Sequence, residues 1–516
     1  MSTHASLKHG PSDLIGGEWV RLSEGGVRSE NPAKPDETVW EGSSEVGHVD
    51  RAVSAARSAL RAWGAMGIER RAEILRRFAE ICKARVDDAA ALIRDETGKV
   101  QWDAKGEAGI LAGKVDITLD DSQYSGRRRM AGFRFDMGES KEARCWFRPH
   151  GVMAVLGPFN FPMHLPNGHI VPALLMGNTV VFKPSDKTPA CGQMLVEMYD
   201  EALREAGAPA GVVNLVQGAA DVAVSLVGHD GIDGLLFTGS WPVGRRILEA
   251  NLDRPGRIVA LEMGGNNPAV VMPDADLKQA AMEVARCAFI TTGQRCTCTR
   301  RLVIHEAVAD QVIGAVAKIA SNLVVGQPDA EHPVFMGPLI NSMSLDGVLA
   351  AQQAQAKNGG EVILQCSAPD IPGGGAYATP GITRVNRFTA TDGDDAGCDV
   401  ETFGPLLRVC MVSSLDEAIE QANATRFGLA ASIFTQEDDA ITRFLGEANA
   451  GCVNVNCGTA GASSKLPFGG LGFSGNHRPA GSFSLDYCAY PTAGMIESSG
   501  AAPLPAGMAF EDSWLG

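Results

Sequence analysis

The chain has 516 residues, 45% of them hydrophobic and 21% charged, a balance that excludes extended disorder and offers enough length for roughly two to four separately cored units. Its formal net charge of −16 argues against nucleic acid or an anionic membrane surface as partner, since either requires a basic stripe. Met1 to Asp13 lack the basic patch and apolar run of a secretory signal, and no segment offers about 18 uninterrupted apolar residues, so a cytoplasmic location is expected.

From about Val49 to Gly98, Leu75, Phe78, Ile81, Cys82 and Val86 recur at helical spacing and predict two or three amphipathic helices. Phe133, Phe135 and Met137 then alternate with polar residues, Gly138-Glu139-Ser140 reads as a turn, and Arg144 to Phe147 can return, which predicts a β-hairpin. A lone hairpin is marginal in water, so this one is expected to pair with another domain or another chain. Between Val152 and Glu262, the runs Val152–Leu156, Thr179–Phe182, Val212–Val216, Leu235–Thr238 and Ile258–Leu261 alternate with helix-length segments. That alternation implies a mostly parallel sheet whose ligands bind at the carboxyl ends of the strands. A second α/β run extends from Pro268 to about Gly451, a further strand is expected near Leu485 to Pro491, and the end from Glu497 reads as a loosely held tail.

Two phosphate-loop patterns fail. Gly470-Leu-Gly472-Phe-Ser-Gly475 fits G-x-G-x-x-G but precedes Asn-His-Arg-Pro instead of a helix, and Gly113-Lys114 lacks both the earlier glycine and the following Ser or Thr of a P-loop. Phe237-Thr-Gly239-Ser240-Trp-Pro-Val-Gly244 is a better candidate, because it follows a strand and opens a helix with a proline near its start. The free N–H groups there suit a pyrophosphate at Gly239, Ser240 and Gly244, against the alternative of a plain strand-to-helix turn.

Twelve cysteines stand singly, apart from Cys296 and Cys298, and most are expected to be reduced, buried thiols. Cys296 sits in Gly293-Gln-Arg-Cys-Thr-Cys298, where an adjacent arginine would favour the thiolate, a potent nucleophile toward carbonyls. The alternatives are a small buried hydrophobe or half of a metal site, although no Cys/His pair stands at ligand spacing and no metal is expected. Glu262, in Leu261-Glu-Met-Gly-Gly-Asn-Asn-Pro268, falls where a strand ends, from where a carboxylate can reach a cleft or simply meet solvent.

Taken in order, Gly157-Pro-Phe-Asn160-Phe-Pro162, Lys183-Pro-Ser, Phe237-Thr-Gly-Ser, Leu261-Glu-Met-Gly-Gly, Gly293-Gln-Arg-Cys296 and Glu401-Thr-Phe403-Gly-Pro405 resemble the aldehyde dehydrogenase superfamily from about Leu14 to Tyr490. Within it, Glu96-Thr-Gly-Lys99 with Trp102, Met163-His164-Leu-Pro-Asn-Gly-His169, Gly264-Gly-Asn-Asn-Pro268, Gln294-Arg-Cys-Thr-Cys298 and Ser474-Gly-Asn-His-Arg-Pro479 are similar to the succinylglutamate-semialdehyde dehydrogenases of arginine catabolism. Trp241-Pro242-Val243, Asn456-Cys457-Gly458 and Asp186 depart from the pattern that resemblance predicts, and bear on the substrate more than on the chemistry.

The resemblance implies an α/β fold with a Rossmann-like NAD(P) domain at 1–125 and 150–261, a catalytic domain at 262–455, oligomerisation strands at 126–149 and 484–495, and a tail at 496–516. It implies that Cys296 attacks a small-molecule aldehyde, with Asn160 and the Cys296 N–H holding the oxyanion, and that Glu262 activates the water that hydrolyses the thioester. A hydrolytic base favours a free carboxylate over a CoA ester as product. Lys183 and Asp186 are assigned to the adenosine ribose, Gly239, Ser240 and Gly244 to the pyrophosphate, and Glu401 with Phe403 to the nicotinamide ribose. Asp186 favours NAD, while Lys187 beside it would attract the extra phosphate of NADP. Arginines pair well with carboxylates, and Arg295 and Arg478 are the candidates for a carboxylate-bearing substrate. Another semialdehyde or a simple aldehyde is the alternative substrate, a cysteine acyl hydrolase without redox cofactor the alternative class, and a homodimer or homotetramer the expected assembly.

Overall fold

Five of the apolar runs, Val152–Leu156, Thr179–Lys183, Val213–Leu215, Gly234–Thr238 and Ile258–Glu262, form parallel strands in a computed structural model that describes residues 4–500 and 502–516. The first four are buried at every residue, as strands must be when helices cover both faces of a sheet. From Val152–Leu156 the chain steps outward through Thr179–Lys183 and Val213–Leu215, then returns to the other side with Gly234–Thr238 and Ile258–Glu262. The direction therefore reverses between Val152–Leu156 and Gly234–Thr238, and a crevice for ligands opens at the carboxyl ends of strands at such a reversal. Ser12–Ile15 and Glu18–Arg21 extend this first sheet in antiparallel fashion beyond Val213–Leu215. At four residues each they are too short to show a period in the sequence.

The predicted amphipathic helices are Gly47–Ala65, Gly67–Ala84 and Val86–Thr97. They bury Trp63, Leu75, Phe78 and Ile93 against the first sheet's helical layer. The third ends at Gly98, whose φ of 74° only glycine adopts without strain, with Pro338 packed where a Cβ would lie. Beyond it, Lys99 pairs with Glu107 at 2.5 Å with both side chains buried, and Glu107 also accepts the backbone N–H groups of Met163 and His164 at the start of the helix His164–Leu175. This carboxylate caps the helix and so sets the loop Gly157–Pro162 above the reversal point.

A second sheet runs in the order Glu361–Leu364, Gly381–Arg384, Leu406–Val412, Thr299–His305, Asn267–Val271, Ala430–Phe434, Cys452–Val455, parallel except for its first pair. Its two faces are covered by separate apolar clusters. The hairpin forms as Phe133–Asp136 and Lys141–Pro149. The carboxyl-terminal strand that joins it is displaced from its expected place: Ala489–Glu497 pairs with Lys141–Pro149, while Ser484 to Cys488 turn beneath it, with Leu485, Tyr487 and Cys488 in the core. The apolar Leu485 and Tyr487 that suggested a strand are core anchors of that turn. Among the described residues no helix is long and apolar enough to cross a membrane.

Lys99→Ala should cost about 3–5 kcal/mol, because it strands a buried carboxylate. A denaturant titration beside the double variant Lys99→Met with Glu107→Gln, which removes both charges, should show the smaller loss for the double variant.

Candidate active site

The chain before Cys296 is held in an unusual turn. Thr291 and Thr292 take φ of 54° and 55° and Gly293 takes 73°, a left-handed run that costs free energy in β-branched residues and persists only where the surroundings over-determine it. They do so here. Thr291 Oγ1 donates to Asp103 at 2.6 Å, Thr292 Oγ1 donates to the Gly337 carbonyl at 2.8 Å, and a Cβ on Gly293 would lie 2.0 Å from the Gly404 carbonyl. Arg295 Nε donates to Thr291 Oγ1 and its Nη2 pairs with Asp103 at 2.7 Å. Beyond the nucleophile, Asn267 Nδ2 donates to the carbonyls of Cys296 at 2.7 Å and Cys298 at 2.9 Å, and its Oδ1 accepts from Ala430 N–H. Cys296 is thereby pinned on one side to the second sheet through Asn267 and on the other, through the turn, to the helix Gln101–Leu119 and the Gly337 loop.

Asn160, on the loop above the reversal point, is buried and donates through Nδ2 to the Gln294 carbonyl at 2.9 Å. Its second amide hydrogen is left over, and the Cys296 N–H makes no hydrogen bond among the described residues. Two donors beside one thiol can hold an oxyanion. Glu262, last residue of its strand, is 5% exposed. Its Oε1 accepts the Ala480 N–H at 3.3 Å and its Oε2 has no partner. Burial pushes this carboxyl well above the usual carboxylate range.

The expectation that a neighbouring arginine would favour the thiolate is corrected here. Burial pushes the Cys296 thiol up to about 12, and the Glu401 and Glu262 carboxylates push in the same direction. Arg295 faces Asp103 instead, and Arg300 is occupied by the carbonyls of Gly265, Gly293, Arg295 and Thr402 and by Glu401 at 3.2 Å. Arg301 is likewise consumed by the carbonyls of Asn266, Gln421 and Ala422. Arg478 is exposed and donates to its neighbour's carbonyl, at His477, with no ion pair among the described residues. His164 and His169 are buried, and burial pushes both down to about 3, so neither offers a cation.

The residues expected to meet a dinucleotide lie as follows. The helix Trp241–Glu249 follows Ser240 with proline in its first turn, leaving unpaired N–H groups for a pyrophosphate. Gly239 and Gly244 have a further, internal reason to be glycine, since a Cβ would meet the Phe237 ring at 2.3 Å or the Met263 sulfur at 2.2 Å. Lys183 is buried and donates to the Pro184 carbonyl, which leaves two ammonium donors for hydroxyls, and burial pushes it down to about 8. Asp186 is exposed nearby in sequence, and Lys187 lies over the Phe159 ring at 4.9 Å. Glu401 spends Oε1 on the Gly265 N–H and Arg300, and Phe403 meets Phe159 edge to face. These donors and glycines fit a dinucleotide. Among the described residues no group of three or more His, Cys, Asp or Glu side chains is arranged to hold a metal ion.

Sequence reasoning did not single out Asp103, Asn267, Glu107 or Asn476. Asn267 and Asn476 both stood inside recognised motifs, Asn267 as an amide beside a strand start; Asp103 lies on a helix far away in sequence.

The model of the aldehyde dehydrogenase family matches residues 19–492. The chain is 43% identical to the N-succinylglutamate 5-semialdehyde dehydrogenase of Chromobacterium violaceum over 95% of this chain and 97% of that one. Among solved structures it is similar to an NAD-dependent aldehyde dehydrogenase from Sinorhizobium meliloti, at 29% identity and a TM-score of 0.87 over 96% of each chain. It is also similar to an NADP-dependent glyceraldehyde-3-phosphate dehydrogenase from Bacillus halodurans, at 29% identity and a TM-score of 0.84 over 95% of this chain and 100% of that one.

With no cofactor added, alkylation of Cys296 by iodoacetamide should be slow at neutral pH and rise about tenfold per pH unit through pH 9, as the thiolate fraction of a raised thiol does. Peptide mass spectrometry at several pH values reads this directly, and a plateau near pH 7 would mean a thiolate already formed.

Proposed function

The chain belongs to the aldehyde dehydrogenase family, and we propose that it oxidises N-succinylglutamate 5-semialdehyde to N-succinylglutamate with NAD, in arginine catabolism. Oxidation of a small-molecule aldehyde with NAD(P) is the reaction of the family; the substrate, the preference for NAD and the residue roles are this proposal. The observation that carries it is a buried carboxylate, Glu262, with one oxygen unpartnered, standing close enough to the half-buried Cys296 thiol to raise it.

In this mechanism Cys296 releases its proton to solvent water, and its sulfur bonds to the aldehyde carbon. The oxyanion so formed lies between the Asn160 amide and the Cys296 N–H, where losing one donor typically costs about 3–4 kcal/mol of barrier. Bound NAD(P) supplies the acceptor for the hydride that leaves this carbon. The thioester left on Cys296 is then attacked by a water that Glu262 deprotonates; the C–S bond breaks, and a carboxylate and the free Cys296 sulfur result. A carboxyl raised by burial is a stronger base than an exposed one, which suits proton abstraction from the hydrolytic water. Lys183 and Asp186 hold the adenosine ribose, Gly239, Ser240 and Gly244 the pyrophosphate, and Glu401 with Phe403 the nicotinamide ribose. Asp186 is exposed where it would accept ribose hydroxyls and repel a 2'-phosphate, which supports NAD over NADP.

The name of the Chromobacterium relative supports the substrate. Arg478, with no carboxylate of its own, is the readier of the two proposed substrate arginines; Arg295 keeps only Nη1 free after Asp103 and Thr291. The first sheet supports assigning 1–125 and 150–261 to the NAD(P)-binding domain, and the second supports 262–455 as catalytic. The three-stranded sheet from 126–149 and the chain's end shows exposed Phe133, Phe135 and Met495 beside a groove of about 670 Å³. An open edge with apolar side chains supports a homodimer or homotetramer built through it.

Reduction of NAD followed at 340 nm should show kcat/KM highest for succinylglutamate semialdehyde, lower for glutamate semialdehyde and short aliphatic aldehydes, and lower again with NADP. Cys296→Ala should be inactive. Equal rates on aliphatic aldehydes would overturn the substrate while leaving the family chemistry. In sedimentation, Phe133→Asp with Phe135→Asp should shift the protein to a smaller species.

A further inference from the structure

Glu262 ends the strand at one edge of the first sheet, so on its outer side that strand has no neighbour within the sheet. The segment Phe473 to Asn476 lies there. Met263 N–H donates to the Ser474 carbonyl at 2.9 Å, and Glu262 faces Gly475 in an antiparallel bridge. Next along, Leu261 N–H donates to Asn476 Oδ1 at 3.0 Å while Asn476 Nδ2 donates to the Val259 carbonyl at 2.8 Å. The primary amide takes the place of a peptide group in a strand ladder, with donor and acceptor side by side.

The same segment is tied to the second sheet. Phe473 N–H donates to the Arg426 carbonyl, Gly428 N–H donates to Ser474 Oγ at 3.0 Å, and Leu471–Gly472 pairs with Phe427–Gly428, which leads into Ala430–Phe434. The Phe473 ring is stacked on Trp241, with centroids 4.1 Å apart and planes 9° from parallel. Trp241 is the first residue of the helix whose start is proposed for the pyrophosphate. The strap therefore touches three things: the strand that ends in Glu262, the sheet that carries Cys296, and the helix start at the crevice.

We propose that Asn476 and Phe473 are positioning residues for Glu262: Asn476 fixes the strand that carries the carboxylate, and the Phe473–Trp241 stack ties that strand's place to the helix at the pyrophosphate seat. This rests on the reading of Glu262 as the base of thioester hydrolysis. Deacylation needs a water placed between Glu262 and the thioester, so it tolerates a shifted carboxylate less than sulfur attack and hydride departure do.

The test compares wild type, Asn476→Ala, Asn476→Asp, Phe473→Leu and Glu262→Gln by stopped-flow NADH formation, and measures amide hydrogen exchange over 258–263 without cofactor. In Asn476→Ala the first-turnover burst should stay within about twofold while steady-state kcat falls about tenfold, with Asn476→Asp between it and wild type. The ascending limb of its kcat profile should move to lower pH, because a loosened strand admits water and relieves the burial that raises Glu262. Exchange over 258–263 should quicken. Phe473→Leu should lower kcat in the same pattern and weaken NAD binding, read by quenching of tryptophan fluorescence. Burst and kcat falling together, or neither changing with exchange unaltered, would overturn the proposal. If Glu262→Gln turns over like wild type, the hydrolytic reading fails instead, and the exchange result alone then decides whether Asn476 holds the strand.

Discussion

A carboxyl group buried with one oxygen unpaired costs free energy, of the order of a few kcal/mol for the missing partner alone, and Glu262 is held in that condition. Left to itself the end of a strand would turn such a side chain to water. The surrounding structure forbids this. The strand is paired on one side with Gly234–Thr238 and on the other with the Ser474–Asn476 strap, and Gly469 passes so close that a Cβ there would lie 2.9 Å from Oε1. What the fold stores in this way is basicity at a carboxylate close enough to the Cys296 sulfur to raise it.

The other half of the site uses the same economy on the second sheet. A buried thiol beside two carboxylates stays protonated, so on the proposed reading Cys296 must lose its proton to water before it attacks. Its position is set by hydrogen bonds on either side: Asn267 donates to its carbonyl, while the turn before it is held by Thr291 donating to Asp103, Arg295 donating to both of these, and Thr292 donating to the Gly337 carbonyl.

The outline of this arrangement was legible in the sequence, and the reason is periodicity. Strands covered on both faces show as unbroken apolar runs, which is why Val152–Leu156 through Ile258–Glu262 were found within a residue or two of their ends. The reactive cysteine and the strand-end glutamate stood in motifs. Short strands such as Ser12–Ile15 carry no period, and Leu485 and Tyr487 mimicked a strand because core anchors in a turn are as apolar as strand residues. The thiol's electrostatics were misread because sequence adjacency places a guanidinium near the sulfur in the chain, whereas the structure turns it toward Asp103, nearly two hundred residues away. Asn476 shows the same limit, since an amide that completes a strand ladder has no local signature.

The account stands on a thioester at Cys296 that Glu262 releases, and intact-protein mass spectrometry tests it most directly. Glu262→Gln mixed with succinylglutamate semialdehyde and NAD, then quenched in acid, should carry one added succinylglutamyl acyl group per chain on the peptide containing Cys296. Wild type quenched at the same time should carry far less. An unmodified Cys296 in the variant, with NADH formed, would contradict the account, because the aldehyde would then have been oxidised either without binding the sulfur or with a thioester that is released without Glu262.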